Sequence, residues 1–130
     1  NRCRRQRQMC IRDRVYPEGN HIHMSDEQPY MQIGETKYGK PILDRMIHPD
    51  TSIGDAARVA LLSLDSTMRS DLTVGPPIDL IVFKKDQINL DFQEQLKLDS
   101  PFFKELSDIW AKQIDKGVKK LPKFHWENNS

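Results

Sequence analysis

A chain of 130 residues with 37% apolar side chains can bury one modest core and not two. Its formal net charge of +1 hides a division, because residues 1–14 hold six arginines against one aspartate and the rest of the chain sums to −4. No apolar run approaches the roughly 18 residues a membrane helix needs and no signal-peptide pattern is present, so a soluble chain with no membrane partner is expected.

The opening "NRCRRQRQMCIRDR" has the form of a disordered arm for nucleic acid. Within it "RRQRQMCIRDR" instead resembles translated sequencing-adapter read-through, which sets residues 1–14 aside from the fold as a non-native segment. Both cysteines, Cys3 and Cys10, fall there. The remainder has no thiol for a disulfide or a thiolate site, as suits a reducing compartment. The body is taken as residues 15–126, followed by a tail over 127–130.

"VYPEGNHIHM" places apolar ends around the turn residues Pro17, Glu18, Gly19 and Asn20, and predicts a hairpin. "PYMQIG" predicts a short strand ending at Gly34. From Lys37 or Gly39 onward Ile42, Leu43, Met46 and Ile47 recur at helical spacing, with Pro41 tolerated only in a first turn. A second helix follows the break at His48, Pro49 and Asp50. Thr51 or Ser52 caps it, Asp55 stands three residues after Ser52, and Ile53, Ala56, Ala57, Ala60, Leu61, Leu64 and Met68 form its apolar stripe.

"IDLIVFKKD" predicts a strand buried on both faces. Ile88, Leu90 and Phe92 alternate with polar residues as a half-exposed partner strand, joined through Asp86 and Gln87. Ser100 and Pro101 then open a last helix with Phe102, Phe103, Leu106, Ile109, Trp110, Ile114 and Val118 on one face. The end, "LPKFHWENNS", is expected to fray. This order predicts an α+β or layered α/β fold, with consecutive helices packed on a sheet.

Four groups of residues invite a chemical reading. Gly34-x-x-x-x-Gly39-Lys40 matches a phosphate-binding loop up to its last position, but Pro41 supplies neither the Mg²⁺-binding hydroxyl nor an N–H, and Glu35 would repel phosphate. Nucleotide binding through Lys37 and Lys40 is therefore a weak rival. His21 and His23 share a strand face but lack the further ligands of a zinc site, so no metal and no cofactor are expected. Lys112, Lys116, Lys119, Lys120 and Lys123 form a basic face that solvation explains without nucleic acid.

"SLDSTMRSDLT" gathers Ser70, Asp71 and Thr73 at a helix end. Capping and turning the chain explain these residues, while on a rigid loop they could also orient a nucleophile held elsewhere.

At "YMQIGETKYGKPILDR", "DAARVALLSLDSTMRSDLTVGPPIDLIVF" and the "VYPEGN" hairpin, the sequence resembles the C-terminal half of the bacterial ancestral β-subunit (Anbu) family. These are proteasome-type peptidases of the N-terminal nucleophile class, and the resemblance spans about residues 15–126. It implies part of a four-layer αββα sandwich in which a free N-terminal threonine is nucleophile and, through its amine, base. That threonine and the aspartate and lysine beside it lie in the other half, so this chain is expected to be an inactive fragment of a peptide or amide hydrolase.

Related subunits carry a serine in the glycine turn before the first central helix, and an aspartate-x-x-serine pair in a later loop. Glu35 falls at the turn position, and Ser70 and Thr73 at the pair, with Asp71 one residue off. The resemblance further implies identical subunits assembled into a ring or open spiral. A non-catalytic scaffold subunit of the same fold is the alternative.

Overall fold

The structure, a computed structural model, describes residues 13–15, 17, 21–84 and 92–129. The adapter-like residues 1–12, most of the predicted hairpin turn and the predicted turn at Asp86 and Gln87 lie outside them. The architecture is α+β, as the element order predicts. The chain divides into two units at the Gly75/Pro76 junction.

In the first unit, strands β1 (Asp13–Val15) and β2 (His21–His23) pair antiparallel, with Val15 opposite His21 and Asp13 opposite His23. The predicted hairpin is present, and it begins two residues inside the segment that the sequence set aside. The predicted strand at "PYMQIG" does not form among the described residues, where residues 29–33 have no ladder partner. Strand hydrogen bonds need a neighbouring strand, which alternation alone cannot supply.

Helix α1 (Lys40–Met46) starts after Gly39 with Pro41 in its first turn, as expected. Helix α2 (Ile53–Ser70) starts at Ser52, whose Oγ accepts the Asp55 N–H at 3.1 Å and donates to Asp55 Oδ2 at 2.7 Å. This is the predicted cap, and it satisfies one of the N–H groups that a helix start leaves open. Leu43, Ile47 and Val59 form a buried cluster, with Tyr30, Ile42 and Ala56 packed against it. Two consecutive helices thus share one core.

In the second unit, β3 (Ile78–Val82) pairs antiparallel with β4 (Phe92–Leu96), Ile78 opposite Leu96 and Val82 opposite Phe92. The predicted partner strand is present at Phe92, and its predicted start at Ile88 and Leu90 lies outside the described residues. Beyond Phe92 the apolar alternation is interrupted by Glu94 before Leu96, so the sequence pattern alone leaves the strand's extent and register open. β3 is not buried on both faces: Asp79 and Ile81 are exposed, and Asp79 accepts a cross-strand hydrogen bond from Gln95 Nε2 at 2.9 Å.

Helix α3 (Pro101–Lys119) begins at Ser100 with Pro101 at its first position. Phe103 and Ser107 are buried and Leu106 and Trp110 half-buried, whereas Phe102 and Ile109, predicted as core, stand about half exposed. The tail does not simply fray. Residues His125–Asn129 form a 3-10 turn in which Glu127 Oε1 accepts the Phe124 N–H at 3.1 Å.

Candidate functional site

The turn between Gly34 and Gly39 is built by short-range hydrogen bonds. Gly34 has φ +83°, a left-handed conformation that a residue bearing Cβ adopts only with strain. Gln32 Nε2 donates to the Glu35 carbonyl at 3.4 Å, and the Lys37 N–H donates to Glu35 Oε1 at 2.8 Å. The Lys40 N–H closes the turn onto the Thr36 carbonyl at 3.1 Å. Glu35 is thus half-buried, and its carboxylate is held by backbone at the mouth of α1.

The other end of the turn is fixed by packing. Gly39 has an ordinary φ of −95°, so no backbone strain demands glycine there. A Cβ at Gly39 would instead lie 2.9 Å from the Ser63 carbonyl oxygen and 3.0 Å from Thr67 Oγ1, and closer still to Ser63 Oγ. Ser63 and Thr67 are both buried on α2, and Thr67 Oγ1 donates to the Ser63 carbonyl at 2.9 Å. Gly39 therefore lets the start of α1 rest directly on the backbone of α2.

The group at the far end of α2 is equally local. Asp71 Oδ1 accepts from the Thr73 N–H at 2.8 Å and from Thr73 Oγ1 at 2.6 Å, a side-chain turn of the kind aspartate favours. The Thr73 hydrogen bonds hold the Asp71 carboxyl below its ordinary pKa. Ser70, the last residue of α2, is exposed, and its hydroxyl has no hydrogen-bond partner among the described residues. No hydrogen bond joins Glu35 to Ser70, Asp71 or Thr73 among the described residues.

One cluster escaped the sequence reading. Tyr30, Lys40 and Asp44 join the chain before the turn to the helix after it. The Tyr30 hydroxyl donates to Asp44 Oδ1 in a short hydrogen bond, Lys40 Nζ donates to Asp44 at 2.7 and 2.9 Å, and the same ammonium lies 3.1 Å from the Tyr30 oxygen. Lys40 also stands 5.5 Å from the centre of the Tyr30 ring. Only the four-residue spacing of Lys40 and Asp44 is visible in sequence. The Lys40 ammonium is committed here, which argues against a phosphate role.

These contacts shift all three groups. Burial and then the Asp44 hydrogen bond raise the Tyr30 pKa, the Asp44 hydrogen bond raises that of Lys40, and the Lys40 hydrogen bond lowers that of Asp44. The Asp44 contribution to stability is full above the unfolded carboxylate value of about 3.9 and fades as pH falls through the lower folded value. The Tyr30 and Lys40 contributions are full below about 10 and fade as pH rises through the raised folded values. A spectrophotometric tyrosine titration should therefore contain a component above the free-tyrosine pKa of about 10, and Tyr30→Phe should remove it. Loss of a lower component instead would contradict this geometry.

Among the described residues there is no group of three or more metal-ligating side chains, and no helix is long and apolar enough to cross a membrane. No family model matches the chain, and no curated protein does.

Solved structures do. The chain is 43% identical to a Gly-1 mutant of Anbu from Hyphomicrobium sp. strain MC1, with a TM-score of 0.82 over 86% of this chain and 48% of that one. It is 38% identical to Anbu, the ancestral β-subunit, from Yersinia bercovieri, with a TM-score of 0.80 over 86% of this chain and 47% of that one. It is 39% identical to Anbu from Pseudomonas aeruginosa in a structure described as a helical assembly of the Anbu complex, with a TM-score of 0.77 over 85% and 46%. Identity at this level along most of the chain, with the fold conserved, defines a proteasome-like α+β subunit. The chain belongs to the Anbu family, and spans about half the length of the Anbu chains it matches.

Proposed function

We propose that this chain is the C-terminal half of a threonine-dependent hydrolase subunit that cleaves peptide or amide bonds by acyl transfer in the cytoplasm, and that identical subunits assemble around it. The observation carrying this reading is the 36–43% identity to Anbu structures. The nucleophilic threonine, whose own amine serves as base, belongs to the half of the relatives' length that this chain does not match. Glu35, which falls at the turn position where related subunits carry a serine, is the residue proposed to meet it. One carboxylate oxygen is fixed by the Lys37 N–H, and the other remains an acceptor for an ammonium group. Ser70, Asp71 and Thr73 shape the loop beyond α2. The adapter-like residues 1–14 play no part in this chemistry.

The 130-residue chain is accordingly expected to show no hydrolysis of fluorogenic peptide amides. Turnover that a threonine-directed inhibitor blocks would mean that the other half is dispensable and would overturn the assignment.

A second reading, a non-catalytic scaffold subunit, draws on a specific observation: Glu35 and the Asp71–Thr73 pair are engaged within their own turns. The upstream coding sequence separates the two. A methionine-threonine start fits the hydrolase, and any other start fits the scaffold.

A further inference from the structure

Residues 31–39, the segment that carries Glu35, contain neither strand nor helix. Its inner hydrogen bonds run from Gln32 to the Glu35 carbonyl, from the Lys37 N–H to the Glu35 carboxylate and from the Lys40 N–H to the Thr36 carbonyl. Each joins residues close in sequence. Such bonds set the shape of the segment and leave open where it stands on the unit.

Its place is fixed at the two ends. At the trailing end Gly39 rests on the α2 backbone. At the leading end the Tyr30 side chain packs against the buried cluster of Leu43, Ile47 and Val59, while its hydroxyl donates to Asp44 Oδ1. Lys40 Nζ meets both partners, 3.1 Å from the Tyr30 oxygen and 2.7 and 2.9 Å from the Asp44 oxygens. The side chains on either side of the segment therefore converge on one point, and closing a short loop in this way removes much of its conformational freedom.

Lys40 and Asp44 without Tyr30 would be an exposed ion pair within one helix, a contact that adds little. Tyr30 is the member that reaches outside α1, and it turns the pair into a tie between two parts of the chain. The charge states suit a strut and not a proton carrier. Burial and then Asp44 raise the Tyr30 pKa, Asp44 raises that of Lys40, and Lys40 lowers that of Asp44. All three groups are thus driven away from the neutral range in which an acid–base catalyst works.

We propose that Tyr30, Lys40 and Asp44 form a positioning clamp that holds the Glu35 turn, and through it the carboxylate, in place for the ammonium of the nucleophile. The clamp touches no reacting group and acts only through Glu35. This assignment rests on the hydrolase reading above and names the residues that make Glu35 effective within it.

Hydrogen exchange read by mass spectrometry tests the clamp, both on the 130-residue chain and on the subunit that includes its upstream half. Tyr30→Phe keeps the ring in the core and removes only the hydroxyl, and Asp44→Ala removes the shared acceptor. Each should speed exchange of residues 31–39 by about tenfold, the order expected when a hydrogen bond to a charged group is lost. Exchange in α2 should change by less than about twofold, with far-UV circular dichroism confirming that the helices are kept. Unchanged exchange over residues 31–39 would overturn the clamp. Equal acceleration in α2 would show general stabilisation and overturn positioning.

Peptide-amide hydrolysis by the subunit with its upstream half tests the purpose. Tyr30→Phe should lower kcat by about tenfold with KM kept, as when a group is held less well in its working geometry. On a Glu35→Ala background Tyr30→Phe should cost nothing further, because both changes act through one carboxylate. A further loss there would overturn action through Glu35. A parent subunit without hydrolysis would overturn the hydrolase reading and the catalytic purpose of the clamp together, whereas a hydrolase indifferent to Tyr30→Phe would overturn the clamp alone.

Discussion

Gly39→Ala should destabilise the first unit by about 1–3 kcal/mol, the usual cost of forcing an extra carbon into a packed site. The direction follows from space and not from backbone freedom. At φ −95° and ψ −28° an alanine would be comfortable. Its Cβ would meet three oxygens, and they differ in how far they can yield. Ser63 Oγ can rotate away. The Ser63 carbonyl cannot, because it sits within α2 and accepts the Thr67 hydroxyl.

Gly39→Ala on a Ser63→Ala background should therefore recover part of the loss and leave the remainder. Urea denaturation followed by far-UV circular dichroism measures both. A single variant as stable as the parent, or complete recovery in the double variant, would show that α1 does not rest on the α2 backbone. The position matters beyond stability, because Gly39 ends the turn that carries Glu35. Moving α1 off α2 would move the carboxylate that we propose meets the nucleophile.

What could be read in the sequence was local. Ser52 with Asp55, and Ser100 with Pro101, mark helix starts through groups three residues apart or adjacent, and both helices begin there. The same locality explains why Asp71 and Thr73 look like turn formers and are. The failures all depend on something distant. "PYMQIG" reads as a short strand but has no ladder partner among the described residues. β4 runs on to Leu96 past the polar Glu94, because its extent is set by pairing with Ile78 and not by its own alternation.

Amphipathic spacing identified one face of α3 but could not say where its cover stops, and it stops after Trp110. Gly39 was legible as a turn glycine, whereas its close approach to Ser63 and Thr67 depends on how two helices cross. Tyr30 and Asp44, fourteen residues apart, form a pair that no spacing rule flags. Glu35 was singled out by family position alone, since its chemistry by itself suggested only repulsion of phosphate.

The second unit offers a sharper comparison within one residue type. Leu96 is 1% exposed at the end of β4, opposite Ile78, and Leu98, two residues later, is 66% exposed. Truncating a buried leucine removes its transfer energy and leaves a cavity, so Leu96→Ala should cost about 2–5 kcal/mol. Leu98→Ala should fall within about 0.5 kcal/mol of the parent.

Both tryptophans, Trp110 and Trp126, lie in this unit, so intrinsic fluorescence during urea denaturation reports on it. The midpoint should drop for Leu96→Ala with little change in slope, as expected when stability changes and the surface exposed on unfolding does not. Natural domains hold only about 5–15 kcal/mol in total, so a loss of this size takes a large share. Equal effects at the two leucines would mean that the β3–β4 pair does not bury Leu96.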